Sequence, residues 1–464
     1  MRKDYSILIV CLLVVAILIV FATPIGKPLA ETIGDGIEYF FENLDDMTDH
    51  RRNKGNDEKQ ESTEEAETAF EYHYYGSLSA AIADVNDSTL GANAEESEAY
   101  AVVKAYVDKD ENAVVVLLAD IELSETLLLS NDVTINLDTY NITASGFAAV
   151  NVTDGKVTVA SSGGSIAVGD GEGLSAILQT GGELSLLGVS LTVDSIGTAC
   201  GVAVQEGAVL NMDNVTVRSK GTSTTYGVYA KGSFNIASSD IEALSDGAKS
   251  RALYLTSSAE GTVSSSDIKG LCTLYQATGT SSSQGISNSG KLTVIDCYAW
   301  GSHVGISNAG ELVVNGGTYE SPGHGGIYFG NINTPAYVGN AVLRYSAPPE
   351  NSDTTADYNN CGFYIGGGSD RNNVVVYMDG CEIYGDSWAF TLRGSSGEQN
   401  NTLYISNSTV TGDGYVRVDN STHALYIGAG NNFDASGVKD VNGNSMSDFV
   451  VTTEDVYKYD EASA

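Results

Sequence analysis

Basic residues are the scarcest charge class in this chain: 23 Lys and Arg stand against 60 Asp and Glu over 464 residues, a net charge of −37. That balance excludes a nucleic-acid binder, because each phosphate contact would work against the protein's own field. Proline is down to 6 and tryptophan to 2, and 6 cysteines are too few for a disulfide scaffold of this length. What is abundant is turn- and strand-forming: 52 Gly and 26 Tyr, within a chain that is 42% hydrophobic. Such usage favours short strands with many turns around a real core, and it excludes a disordered chain.

The N-terminus reads as an export segment. Ile7 to Ala22 are 16 consecutive apolar residues behind Arg2 and Lys3, ending at Thr23-Pro24. This length lies between a cleavable signal and a spanning helix, so residues 1–30 are expected to be a signal peptide or signal anchor. Residues 31–70 come next as an amphipathic helix, carrying Ile33, Ile37, Phe40, Phe41, Leu44 and Met47 at helical spacing, and an acidic linker; the stretch holds 13 acids and 4 bases. The layout resembles that of a pilin, without a pilin processing site. No lipobox surrounds Cys11, and no sorting signal marks the C-terminus. The expected location is the extracellular surface, with a retained single-pass anchor favoured over full secretion. Residues 71–113 are expected to cap the N-terminal end of a repetitive region, with Leu78, Ile82 and Val85 marking a short helix.

From residue 114 to 464 the chain repeats. Units begin at Gly146, Gly173, Gly201, Gly227, Arg251, Gly285, Gly305, Gly326 and Gly362, in steps of 20 to 36 residues, each followed by a second alternating stretch such as Glu183-Leu-Ser-Leu-Leu or Lys291-Leu-Thr-Val. Short strands at such a period mean a solenoid, and Val, Ile and Tyr alternating with Ser, Thr and Gly do not fit a leucine-rich repeat. The expected fold is all-β: a parallel β-helix of about 13 coils, at about 4.8 Å per strand a rod of order 60 Å. These repeats resemble the right-handed parallel β-helix, pectin-lyase-like superfamily, over about three quarters of the chain. The resemblance implies the fold, and activities that range from polysaccharide lyases and hydrolases to tailspikes and bacterial surface adhesins.

The repeat alignment constrains candidate chemistry. Cys200 and Cys361 lie five units apart and Cys297 and Cys381 three, too far for disulfides, which leaves Cys272 with Cys297 as the only allowed pair. The five thiols are expected to fill the coil interior. A recurring polar-then-apolar pair (Ser190, Asn214, Asp240, Asp267, Thr318, Glu382 and Thr409 with their successors) is expected to form one row, with Asp240 and Asp267 stacked about 5 Å apart. Two such carboxylates bear on hydrolysis or on Ca²⁺ binding, or are a solvated stack. His303 and His324 each precede a unit-starting glycine by two residues and are expected to stack. Gly323-His324-Gly325 resembles an element of polygalacturonase-type hydrolases, but the partner motifs of that family are missing. Tyr275, Trp300, Tyr319, Tyr328, Tyr358 and Trp388 lie near the two longest insertions, where aromatic faces beside polar groups hold sugar rings.

The function expected from these residues is a non-catalytic recognition rod for host or environmental glycans or surface proteins. The alternative is a polysaccharide lyase or glycoside hydrolase on the side bearing Asp240, Asp267, His303 and His324. A further option is a trimeric spike or pilus-associated subunit. No metal site and no cofactor beyond Ca²⁺ is expected, and the membrane is contacted only through an uncleaved N-terminal helix.

Overall fold

The computed structural model describes residues 70–452 apart from 96, 247–248, 274–282, 331–333, 347–360, 367–373, 387, 394–400, 412–415, 419–423 and 441. The apolar run, the linker, Tyr275 and Tyr358 lie outside the described residues. Among the described residues no helix is long and apolar enough to cross a membrane.

Three sheets of 16, 12 and 13 strands, here called A, B and C, run along the molecule. The first three strands, His73–Tyr75, Val103–Val107 and Ala113–Leu117, pair antiparallel at the start of A. From there successive strands pass from A to B to C and back, and each pairs in parallel with the equivalent strand one turn later, as Lys156–Ala160, Glu183–Leu187 and Val209–Asp213 do in A. This is a parallel β-solenoid. Its regular part makes about eleven turns, slightly fewer than the expected 13, because the first turn has only the two-residue strand Ile121–Glu122 in sheet B and the last is incomplete. Alternation explains the core. In sheet A, Val157 and Val159, Leu184 and Leu186, and Leu210 and Met212 point inward and are buried, while Thr158, Ser185 and Asn211 between them face out.

Two columns of special residues shape each turn, one at a corner and one inside sheet C. Between sheets A and B, residues with positive φ recur in successive turns: Gly188 (65°), Asn214 (54°), Ser238 (49°), Ser265 (47°), Asp296 (48°), Gly316 (74°), Asn340 (53°), Gly380 (65°) and Asn407 (50°). Glycine, Asn and Asp tolerate this left-handed conformation and fill seven of the nine corners, and Ser238 and Ser265 take it in the other two. Asn214 therefore belongs to the corner, and Thr216 takes the place in the sheet B row that the sequence pattern assigned to Asn214. Within sheet C, two consecutive residues face inward, and the first of them lies against sheet B. A Cβ on Gly227 would come within 2.3 Å of Ile241 Cγ2 and 2.5 Å of the Ala252 carbonyl oxygen. Gly201, Gly285, Gly305, Gly326 and Gly362 share that position, and alanine holds it at Ala149, Ala176, Ala252 and Ala389. The glycines at 146 and 173 are corner residues instead, three positions before their true equivalents Ala149 and Ala176.

Helix α1 (Leu78–Asn86), capped by the Ser77 hydroxyl accepting from the Ala80 N–H, buries Leu78, Ile82 and Val85 at the N-terminal end of the core. It is stitched to the first turn by Asn86 Nδ2 donating to the Leu128 carbonyl (2.8 Å) and Asn131 Nδ2 donating to the carbonyls of Val85 and Asn86.

The five thiols form no disulfide among themselves. Cys272 ends a sheet B strand while Cys297 precedes the next one, level with Ser266, so they sit at opposite edges of the sheet, about 20 Å apart at the strand rise. Cys297 and Cys381 fill the interior as expected, in the corner column that also holds Ser239, Ser266 and Ser408, and burial pushes their thiols up to about 11 and about 12. Cys200 and Cys361 differ from expectation: they are buried, but on the outer side of sheet C, one residue before the inward glycine.

Candidate functional site

The outer side of sheet B carries charge in matched form. Asp240 and Asp267 are direct cross-strand neighbours, as the repeat spacing implies. Each is also held by a base. Arg218 donates to Asp240 and lies 4.0 Å from Glu242, and Lys269 Nζ is 2.6 Å from Asp267. Further along, Arg344 and the Tyr298 hydroxyl both donate to Glu320. The adjacent column reads Arg218, Glu242, Lys269, Trp300, Glu320, Arg344, so Trp300 stands in a row of charges. In-register stacking puts like charges about 5 Å apart, and alternating bases offset the repulsion. Among the described residues no group of three His, Cys, Asp or Glu converges as a metal site.

Sheet C is built differently. In a chain of 60 Asp and Glu, none of the 13 strands of sheet C contains either; the only charged residues in those strands are Arg251, Arg393, Arg417 and Lys439. Its central outward column reads Ala203, Tyr229, Tyr254, Ser287, Ser307, Tyr328, Tyr364, Thr391. Tyr226, Tyr229 and Tyr254 cluster with ring centroids 5.1–5.4 Å apart, and the Arg251 guanidinium lies 4.7 Å from the Tyr254 ring centre. Arg251 makes no ion pair among the described residues. Beyond the two serines, Tyr328 packs on Tyr364 (5.5 Å) and stacks on His324 (5.6 Å). The tyrosine hydroxyls at 226 and 229 are raised above the ordinary phenol value, chiefly by burial.

The predicted histidine pair exists. His303 and His324 meet edge to face with centroids 4.3 Å apart, at the corner where sheet B passes into sheet C. Burial lowers the His303 imidazole to about 4, so it is neutral at physiological pH. The two longest insertions leave the ends of the sheet B strands Asp267–Cys272 and Val342–Tyr345 and re-enter at Gln284–Asn288 and Cys361–Gly366 in sheet C, on either side of the histidine turns.

The aromatic candidates thus divide. Tyr328 and Trp388 are in sheet C, Trp388 beside Cys361. Trp300 faces out from sheet B. Tyr319 is fully buried, its hydroxyl donating to the Gly316 carbonyl at 3.0 Å, so it is a core residue and cannot face a ligand. The sequence pattern did not single out two aromatic sets. One is the Tyr226–Tyr229–Tyr254 cluster. The other is a ladder on sheet A, Tyr337, Tyr377, Tyr404 and Tyr426, with successive centroids 5.2, 4.7 and 4.5 Å apart and planes within 13°. Within that ladder the ring faces cover each other, so what remains for a ligand is edges and hydroxyls. It stabilises sheet A and makes a poor sugar platform.

The chain matches no family model, no curated protein and no solved structure. Class is therefore carried by the fold alone: a parallel β-solenoid.

Proposed function

We propose that this protein is a recognition rod, displayed at or released from the cell surface, that binds glycans through the outer side of sheet C without turning them over. In this reading the solenoid is right-handed and pectin-lyase-like, the winding that parallel crossovers favour. The apolar run at 7–22 is its export signal or anchor.

The observation that carries the proposal is the composition of sheet C. A protein of net charge −37 has one acid-free sheet, and its outer side is furnished with tyrosines, hydroxyls and an occasional base. Aromatic faces beside neutral hydrogen-bonding groups are the chemistry of sugar recognition. The competing lyase or hydrolase reading leans on Asp240 and Asp267, whose Oδ1 atoms are buried without partners. Against it, Arg218 and Lys269 already pair with both carboxylates.

The test is made on the full-length chain in detergent, with a broad polysaccharide panel, with and without Ca²⁺. Binding is measured alongside reducing-end release and unsaturated-product absorbance. Binding without turnover is expected. Turnover that disappears in Asp240→Asn or Asp267→Asn would replace recognition by catalysis on sheet B, and neither binding nor turnover would favour a protein partner or a spike.

A further inference from the structure

We propose that the two-turn gap in the sheet C tyrosine column is a subsite for a neutral disaccharide segment, a proposal that rests on the glycan-recognition reading. Tyr254, Ser287, Ser307 and Tyr328 are consecutive cross-strand neighbours in one outward column. Three strand spacings separate the two tyrosines, about 14 Å, and the serines between them are too short to fill that length. The two tyrosines thus bracket a hydroxyl floor in which Ser307 is partly exposed and Ser287 only 9% exposed.

The walls are set from behind. Tyr254 is backed by Tyr226 and Tyr229 of the preceding turn, and Tyr328 by Tyr364 of the following turn and by His324. Each is therefore supported on the side away from the gap. Allowing about 3–4 Å for ring thickness, the opening is near 10 Å, the length of two linked hexoses. In the neighbouring column lie Gln284 and the fully buried Val304, with Arg251 paired to Gln284 on one side. Gln284 is 8% exposed and its Oε1 has no hydrogen-bond partner. An acceptor left without a donor is costly, and a sugar hydroxyl seated against Gln284 supplies one.

Charge sets the class of sugar. No acid lies in the strands of sheet C, so nothing there is arranged for a cationic or metal-bridged ligand. One guanidinium, already over the Tyr254 ring, does not hold a polyanion against a net charge of −37. A neutral, hydroxyl-rich ligand meets neither objection.

The test titrates the full-length protein with lactose, cellobiose and maltose, and with digalacturonate as the carboxylated comparison, by calorimetry. The decisive variant is Ser287→Tyr/Ser307→Tyr, which fills the gap with the residue that the same column already holds at 229, 254, 328 and 364. It is expected to abolish binding of the neutral disaccharide while keeping the thermal midpoint. Tyr254→Ala and Tyr328→Ala are each expected to weaken binding about ten-fold, and Tyr404→Ala on sheet A to leave it unchanged. If the wild type binds glycans but neither the filled variant nor Tyr328→Ala lowers affinity, the subsite is wrong while glycan recognition stands. Tighter binding of digalacturonate, lost in Arg251→Met, would overturn the neutral class. If the wild type binds no glycan of any kind, the recognition reading falls and the subsite with it.

Discussion

Sheets B and C are wound from the same turns, yet one carries interleaved acids and bases and the other carries no acid in its described strands. In a parallel solenoid each outward position is repeated every strand, so a charge meets its own kind at about 5 Å unless the next turn supplies an opposite. Sheet B takes the second course, with Arg218, Lys269 and Arg344 set among Asp240, Glu242, Asp267 and Glu320. Sheet C avoids the problem by using tyrosine, serine and glutamine. The contrast shows that net charge is distributed by side of the rod. The acidity that keeps such a protein soluble is confined, among the described strands, to sheets A and B and the corners, leaving one side on which an uncharged ligand meets no strong local charge.

The contrast depends on sheet C lying flush against sheet B, and the inward glycine column permits that. Gly305→Val is the most damaging change expected. A Cβ there would come within 2.6 Å of the Gly326 carbonyl oxygen and 2.9 Å of the Ala299 carbonyl oxygen, both backbone atoms that cannot move aside. A loss of about 4 kcal/mol or more is expected, read by denaturant unfolding. Ala252→Gly, at the equivalent position, should cost no more than about 1 kcal/mol. Equal effects of the two would mean that the column is not a packing constraint.

The charge pairing of sheet B is sharpened by comparing two arginines. Glu320 has a side chain only 12% exposed, so Arg344→Ala leaves a carboxylate largely out of water with the Tyr298 hydroxyl alone, and should cost about 3 kcal/mol. Asp240 is 41% exposed and solvent screens it, so Arg218→Ala should cost below about 1 kcal/mol. Denaturation at low and high salt checks this. The two losses should differ by several-fold, and only the smaller should fade with salt.

Much of this architecture was legible in the residues. The spacing of Leu78, Ile82 and Val85 marked the cap helix, the 20–36-residue period marked the solenoid, and aligned SSDI segments put Asp240 beside Asp267. The alternation that sends Thr318 outward sends Tyr319 inward, so that tyrosine's burial was also readable from its neighbour. Asn214 was harder, because a polar residue before a valine reads alike in a strand and at a left-handed corner, and only φ separates them. The acid-free sheet is invisible to composition. It emerges only when each turn is divided into three strands and the third is read down the rod, a long-range property that no local window contains.

The boundary between the two sides gives the last test of the contrast. His303 stands at the corner from B to C, against His324, and its burial holds the imidazole near 4 in the folded chain, against about 6.5 when unfolded. A depressed value means that the folded state prefers the neutral ring. The associated stability is fully present above about pH 6.5 and is lost as the pH falls through 4, because the unfolded chain takes up the proton first. Allowing for partial exposure, about 2 kcal/mol should disappear over that window. His303→Gln removes the titrating group, so its stability between pH 6.5 and 4 should fall less than that of the wild type when both are followed by denaturant midpoint. Parallel pH profiles would mean that this corner is open to water, and the dry seam separating the charged side from the acid-free side would have to lie elsewhere.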